Sequence, residues 1–478
     1  MKVKAPLVER IKGHIRGNPI SFHVPGHKGG GHFLDTGAMG WDRLLQYDLT
    51  ELPGLDNLHC PQGAIEKAQR LAATAYGVEG TYFLVNGSTA GIIASLLAAT
   101  RPGDTVLVDR DCHLSVYNGL MLGRLKPLYI QRPVDQATGI PLSINPREVE
   151  RTLGRDKGVK AVMITNPTYY GVCSDIKTIA NTAHRNGALL IVDEAHGAHL
   201  KFADVLPDSA VDLGADMVIQ SAHKTLPAMT QGSWLHINGG RANRRRLERM
   251  LGILQTTSPS YPIMASLDNA RYIMENTGAR RLEEVLGFAR DARLEINALD
   301  NGFFCPDSEY FRARGSFHFD DTKMLINCAQ AGLTGSRLDQ LLRERCGVYG
   351  ELYDTVNWLG VVTVASRRQD LERLVEGCAG INPDPAGDRA TLPAFCQGPV
   401  PDAGMEPWEV LNRSCVSVEL ARVQGRIAGT GVVPYPPGIP LVCPGERFNS
   451  EIIAQIREYI SHGITVKGVK DGRVEVVE

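Results

Sequence analysis

Two residues able to do chemistry together stand at the ends of two apolar runs. Leu189, Leu190, Ile191 and Val192 form the kind of stretch that is buried inside a parallel sheet, and the run stops at Asp193 and Glu194. Met217, Val218 and Ile219 repeat the pattern and stop at Gln220, Ser221, Ala222, His223 and Lys224. In open α/β sheets, ligands lie beyond the carboxyl ends of the strands, which would bring a carboxylate and an amine to one crevice. An amine that forms a Schiff base, opposite a carboxylate that keeps a pyridine nitrogen protonated, is the pair that pyridoxal phosphate requires. The competing reading is two unrelated surface charges at strand ends.

Other strand ends carry suitable groups. Thr81 to Val85 reads as a strand, followed by Asn86, Gly87, Ser88 and Thr89 and then the helix-forming AGIIASLLAAT. A tight glycine turn at a helix start aims free N–H groups and the helix dipole at one spot, where Ser88 and Thr89 add hydroxyls for an anion; a plain helix cap is the alternative. Val106 to Asp109 is a further strand, with His113 four residues on, placed either to stack on an aromatic ring or to cap a loop. Ala161 to Thr165 ends in NPTYYG. Strands recurring in this way, most of them separated by helix-length segments such as Lys177 to Asn186, predict an α/β fold: a mostly parallel sheet with helices on both faces.

The chain of 478 residues exceeds the roughly 250 to 300 at which single cores stop growing, so more than one domain is expected. A formal net charge of -2, with 43% hydrophobic and 22% charged residues, describes an ordinary globular protein and argues against nucleic acid as partner. The basic group Arg241, Arg244, Arg245, Arg246 and Arg249 reads as a solvated helix face. Ten cysteines without a C-x-x-C pair suggest free thiols in a reducing compartment and no metal site, and His23 and His27 lack a helix to align them as ligands. The opening MKVKAPLVERIKGHIRG has no signal-peptide core and no window reaches about 18 apolar residues, so the expected location is cytoplasmic, without a membrane partner.

Five segments follow from the pattern. Residues 1–63 form an N-terminal arm, with a helix from Pro6 to Arg16 and irregular glycine-rich chain after it. Residues 64–301 form the large domain, whose last part is a long helical run after TTSPSYP; residues 302–381 form a small α+β domain. Residues 382–407 are a Pro/Gly/Asp/Ala linker, and 408–478 a C-terminal subdomain. In the last of these, YPPGIPLVCPGE reads as a rigid loop, and Ser450 is expected to cap a helix burying Ile452, Ile453, Ile456 and Ile460. Glu351 and Asp354 in GVYGELYD are candidate partners for a buried cationic group, because such a charge needs a carboxylate.

Eight stretches together resemble the ornithine/lysine/arginine decarboxylases among the fold-type I, aspartate aminotransferase-like pyridoxal-phosphate enzymes. They are FHVPGHKGG at Phe22, NGSTAG at Asn86, DRDCHLS at Asp109, NPTYYG at Asn166, VDEAHG at Val192, SAHKTL at Ser221, TTSPSYP at Thr256 and YPPGIPLVCPGE at Tyr435. The resemblance implies that Lys224 carries the cofactor covalently, Asp193 pairs with its pyridinium nitrogen, His113 stacks on the ring and His196 lies beside it. It further implies that Ser88, Thr89, Ser221 and His223 hold the phosphate, with Thr257 or Ser258 entering from a neighbouring subunit, so that a homodimer with shared active sites is the working unit. Glu351 matches an acidic position of the family in a G-x-x-x-E stretch. Departures are His196, where large acid-induced members carry Trp; Leu114, where a lysine often follows the stacking histidine; and a start almost at the arm, without a stretch matching their N-terminal wing domain, by which the sequence resembles the short biosynthetic form.

The implied reaction is α-decarboxylation of a basic amino acid, arginine first, then lysine and ornithine. Because related folds share the same covalent start, an aldolase, an aminotransferase, an oxidative decarboxylation or a catalytically silent relative are the rivals.

Overall fold

The structure, a computed structural model, describes residues 5–30, 41–383, 400–435 and 438–478. Parts of the expected arm (31–40), most of the expected linker (384–399) and Pro436 and Pro437 of the proline-rich loop lie outside the described residues.

A seven-stranded sheet organises the large domain. Its strands are β1 (Gly80–Leu84), β2 (Thr105–Asp109), β3 (Lys126–Ile130), β4 (Val159–Thr165), β6 (Leu189–Asp193), β7 (Met217–Gln220) and β8 (Ser233–Ile237), with the two-residue β5 (Val172–Cys173) lying outside it. The spatial order is β1-β8-β7-β6-β4-β2-β3, and the pairs from β7 to β3 are all parallel. Only β8 runs against the rest, pairing antiparallel with both β7 and β1. Strands β3 and β8 escape a reading by pattern: KPLYI has a lysine and a proline, and SWLHI mixes polar with apolar residues on a buried strand. In β8 the buried His236 ring bonds Thr81 Oγ1 at 2.8 Å across the β1 pair, so the polar residue is satisfied without water.

The uninterrupted apolar strands face two cores. Val162, Ile164, Leu190 and Val192 enter one, while Ala161, Met163 and Ile191 enter the other, since successive side chains alternate faces. The first core is covered by α1 (Pro6–Arg16), α3 (Ala64–Tyr76), α6 (Pro146–Arg155) and α7 (Ile176–Arg185), and the second by α4 (Gly87–Ala99), α5 (Leu114–Gly123) and α9 (Arg244–Leu254). Helix α2 (Trp41–Tyr47) follows α1, and the four-residue α8 (Ala222–Thr225) carries Lys224. Each fully buried aliphatic side chain contributes roughly 1.5–3 kcal/mol, so the sheet is held rigid from both sides. Helix α1 is docked rather than loose: Leu7 and Ile11 are fully buried, and the Leu7 N–H donates to Asp268 Oδ2 at 2.9 Å.

The long helical run is divided. Helix α10 (Tyr261–Ile273) passes through a π segment at Met274–Gly278 into α11 (Ala279–Asn297). Met274 and Leu282 belong to the large-domain core, whereas Val285, Ala289, Ala292 and Ile296 belong to the next one. The π segment therefore sits where the helix changes partners.

Beyond it, α12 (Ser308–Ala313), β9 (His318–Phe319), β10 (Lys323–Asn327), α13 (Gly335–Cys346), β11 (Leu352–Tyr353), β12 (Asn357–Val361) and α14 (Arg368–Ala379) build the α+β unit, with antiparallel sheet order β10-β12-β11. The final unit holds α15 (Pro407–Val410), β13 (Cys415–Glu419), β14 (Val433–Tyr435), α16 (Ser450–Ser461), β15 (Thr465–Lys467), β16 (Val469–Lys470) and β17 (Arg473–Val477). Two expectations are corrected there. Asn449, not Ser450, caps α16, its Oδ1 accepting from Ile452 N–H at 2.8 Å. Ile460 is 44% exposed, because Tyr459 takes the buried position on that turn.

Candidate active site

Ser88, His113 and Lys224 each lie four residues past the end of a sheet strand, and Asp193 is the last residue of β6. The sheet thus delivers all four to one edge. At the β1–α4 turn, Gly87 has φ +71°, a left-handed conformation that suits glycine, and open space surrounds it. No side chain caps α4: Asn86 Oδ1 instead accepts from Thr256 N–H. The first N–H groups of α4 are therefore left for another acceptor. Beside them, Ser88 Oγ shares a 2.6 Å hydrogen bond with Ser221 Oγ and donates to Ser233 Oγ at 3.2 Å, three hydroxyls gathered at the starts of α4 and α8. Ser88 and Ser221 are buried and Thr89 is exposed. His223 Nδ1 donates to the Gly232 carbonyl at 3.0 Å, which fixes its ring orientation.

Lys224 Nζ donates to His196 Nε2 at 3.0 Å and lies 5.7 Å from the centre of the Tyr169 ring, whose centre is 4.9 Å from that of His196. Burial, with Lys224 nearby, holds His196 far below the ordinary histidine range, so the ring is neutral and accepts. Burial also lowers the Lys224 amine, and the charges of Asp193 and Glu351 work in the opposite direction. Asp193 is 2% exposed; burial pushes its carboxyl up to about 6, while Lys224 and the Ala195 N–H at 3.1 Å pull it down. The charges of the two side chains singled out in the sequence thus act on each other.

Of the two jobs foreseen for His113, the structure shows the capping one. It is the N-cap of α5, its Nδ1 accepting from Ser115 N–H at 3.1 Å, and its ring still feels the Lys224 charge. Burial, then Lys224 and Lys467, push it down to about 4, which makes it neutral near pH 7.

The substrate-side candidates separate. Glu351 is exposed, and its charge acts on both Lys224 and His223. Asp354 is 1% exposed and committed to the fold: Oδ1 accepts from the N–H groups of Val356 and Asn357, and Oδ2 from Tyr170 Oη at 2.7 Å. It ties β11 and β12 to the NPTYYG turn, which leaves no free lone pair aimed at a ligand. Thr257 and Ser258 are exposed between α9 and α10, outside the cluster around Lys224.

Several residues at the site have no place in the sequence reading. Tyr169 was legible as part of a strand-end turn but had no role attached. Ser233 is invisible because β8 is. Lys323, fully buried and bonded to Asp320 at 2.9 Å, sends its charge toward Lys224 and His196 from the small domain. Asp320 also receives His199 at 3.1 Å, a contact between domains that no local pattern announces.

Known proteins resemble this chain along nearly its whole length. The model of the Orn/Lys/Arg decarboxylase major domain matches residues 5–325, and that of the Orn/Lys/Arg decarboxylase C-terminal domain matches residues 396–466. An uncharacterized Bacillus subtilis (strain 168) protein, YaaO, is 37% identical, covering 98% of this chain and 96% of that one. An arginine decarboxylase of the same organism is 33% identical, covering 99% of this chain and 97% of its own. The solved Francisella novicida lysine decarboxylase LdcF superposes with a TM-score of 0.85 at 21% identity, covering 100% of this chain and 82% of that chain.

Proposed function

The chain belongs to the Orn/Lys/Arg decarboxylase family, and on that premise we propose that it is a pyridoxal-phosphate-dependent arginine decarboxylase, releasing CO2 and leaving agmatine. The reaction class is that of an amino-acid carboxy-lyase. The choice of arginine rests on relatives from Bacillus and Halalkalibacterium that carry that name at 32–33% identity, whereas two lysine decarboxylases are more distant at 27% and 24%, as is a biodegradative arginine decarboxylase at 26%. What supports the cofactor is that Lys224 and Asp193 stand at the same sheet edge with their charges acting on each other, and that three serine hydroxyls and an uncapped helix start stand at that edge too.

Those groups fit a phosphate-bearing pyridine. Ser88, Ser221, Ser233 and the α4 N–H groups would hold the phosphate as donors. Lys224 is the only one of them able to bond the cofactor covalently, and its lowered amine exposes a lone pair more readily than a solvated lysine does. Asp193, ionised above about pH 6, would keep the ring nitrogen protonated. Bound there, pyridoxal phosphate supplies the electron-withdrawing ring that accepts the electron pair left at Cα when the carboxylate departs as CO2. His113 is neutral, so it can lie against a cationic ring without like-charge repulsion. Lys224, hydrogen-bonded to His196, holds a proton that can be delivered to Cα afterwards. Glu351 would receive the distal guanidinium, and a homodimer would bring in Thr257 or Ser258 from the second chain.

The test offers purified protein arginine, lysine and ornithine in parallel, with cofactor, and identifies the amine by mass. Agmatine as the dominant product supports the reading. Cadaverine or putrescine instead would reassign the substrate, and a ketoacid or peroxide would reassign the reaction.

A further inference from the structure

The C-terminal unit is fastened to the large domain at one buried ion pair. Arg110, directly after β2, presents Nη1 to Glu446 Oε1 and Nη2 to Glu446 Oε2, each at 2.9 Å. Both side chains are 6% exposed. Both Nη atoms make further bonds: Nη2 reaches the Leu441 carbonyl at 3.1 Å, and Nη1 reaches Tyr117 Oη and Cys443 Sγ, each at 3.1 Å. Glu446 Oε2 also accepts from Cys443 N–H at 2.7 Å, which closes the C-P-G-E turn on itself. The guanidinium lies 4.9 Å from the centre of the Tyr129 ring.

What this pair joins is specific. Arg110 is three residues before His113, and the loop between them runs from the last residue of β2 to the cap of α5. Glu446 ends the proline-rich loop, whose Ile439 packs in one apolar cluster with Tyr169 and Tyr170 and whose Cys443 packs with Cys112 and Tyr117. Gly431, just before β14, faces the Leu114 side chain, the neighbour of His113. Along the same β14–β15 ribbon, Lys467 Nζ stands 3.7 Å from the centre of the Tyr435 ring. Tyr169 in turn flanks Lys224 and His196.

We propose that Arg110 and Glu446 form a buried latch that seats the Leu441–Glu446 loop against the β2–α5 loop, that they act as positioning residues for His113, and that β14 and β15 thereby form the His113-side wall of the active site. This rests on the reading of the site as a pyridoxal-phosphate crevice. Removing the latch lets the β2–α5 loop and the proline-rich loop loosen together, although neither Arg110 nor Glu446 contacts a reacting atom. A bidentate arginine–carboxylate pair defines orientation as well as distance, which a single apolar contact does not.

The experiment uses the full-length protein with cofactor bound and compares wild type, Glu446→Gln and the double variant Arg110→Met/Glu446→Leu. Glu446→Gln keeps size and one acceptor; the double variant leaves no unpaired buried charge and so retains stability. The proposal expects hydrogen exchange to rise about tenfold over residues 110–117 and 438–446 together, with α7 unchanged. It also expects the visible circular-dichroism band of the bound cofactor to change in both variants, with kcat falling more than KM rises. Unchanged exchange over 110–117 in Glu446→Gln would overturn it. So would a double variant that regains both the thermal midpoint and the wild-type band, since the pair would then be structural only. A wild type that binds no cofactor would defeat the reading of the site, and the paired rise in exchange would still decide the latch.

Discussion

The two ends of the proposed crevice are built by different means. At the cofactor end, Ser88, His113, Asp193, Ser221 and Lys224 all come from the carboxyl edge of one sheet, at or within four residues of a strand end. A two-sided core fixes those strands, so the positions of the side chains follow from short-range geometry, with His113 depending in addition on the proposed Arg110–Glu446 latch. At the substrate end, Glu351 comes from the small domain, and its approach depends on contacts between units such as Asp320 with His199. One end is set by secondary structure and the other by docking, so substitutions at the two ends should fail in different ways.

The largest effect belongs to the cofactor end. Lys224→Ala should abolish covalent attachment, seen as loss of the mass shift after borohydride reduction, and lower kcat roughly a thousandfold or more. If the reduced wild-type protein carried cofactor on another lysine, the assignment of this edge would fail. Asp193→Asn comes next, with kcat down about a hundredfold, because the amide cannot keep the ring nitrogen charged. The pH sign follows from its raised carboxyl. In the cofactor-free protein the native state holds a proton up to about pH 6, whereas an ordinary aspartate releases it near 3.8. Burial of Asp193 therefore removes about 3 kcal/mol of stability as pH rises across that window. A protonated pyridine binds the ionised form, so cofactor affinity should increase as pH rises through about 6. Titrations of cofactor binding at several pH values should show that limb in wild type and lose it in Asp193→Asn.

The same division explains what was legible. Strand-end charges and a glycine turn before a helix carry their meaning in a few adjacent residues, and Asp193, Lys224, Ser88 and His113 all converge where such patterns indicate. The family resemblance supplied expected roles where pattern alone left them open, and for His113 the structure itself shows the cap of α5. Ser233 and Arg110 were not legible, because each owes its position to a partner far along the chain, Ser88 and Glu446; Lys323 is bonded to Asp320 three residues away, and what no local pattern announces is that its charge reaches Lys224 and His196 in the large domain. Asp354 shows the converse failure. An acidic residue near a basic substrate's expected position was really the acceptor for two N–H groups and a tyrosine. The cap of α16 moved by one residue, from Ser450 to Asn449, for the ordinary reason that adjacent polar residues compete for one geometry.

At the substrate end, Glu351 and Asp354 sharpen the contrast as a pair. Glu351→Gln should leave the thermal midpoint in place and raise KM for arginine about tenfold to a hundredfold, because a charge-assisted contact at a partly solvated mouth is lost. Asp354→Asn should do the opposite, costing about 2–4 kcal/mol of stability, since an amide nitrogen now confronts donors that had a carboxylate, with KM moving little. Steady-state kinetics and thermal denaturation on both variants separate the roles. A rise in KM for Asp354→Asn without loss of stability would put that carboxylate back among the substrate contacts.

The smallest expected change tests the phosphate end. Ser88→Ala removes one hydroxyl from a set of three, and Ser221 and Ser233 can rotate to serve an anion with those that remain. A single hydrogen bond to a charged group is worth about 1.5–3 kcal/mol, and part of it is recovered by that rotation, so cofactor affinity should fall only about tenfold. Thr89→Ala provides the comparison within the same turn. Thr89 is exposed whereas Ser88 is buried, so an anion seated among the three serines should depend on Ser88 more. Equilibrium titration of cofactor into both variants gives the order. If Thr89→Ala weakened binding more than Ser88→Ala, the phosphate would sit on the solvent side of the α4 start, and the Ser88–Ser221 bond would be a strut between α4 and α8 instead of part of the anion site.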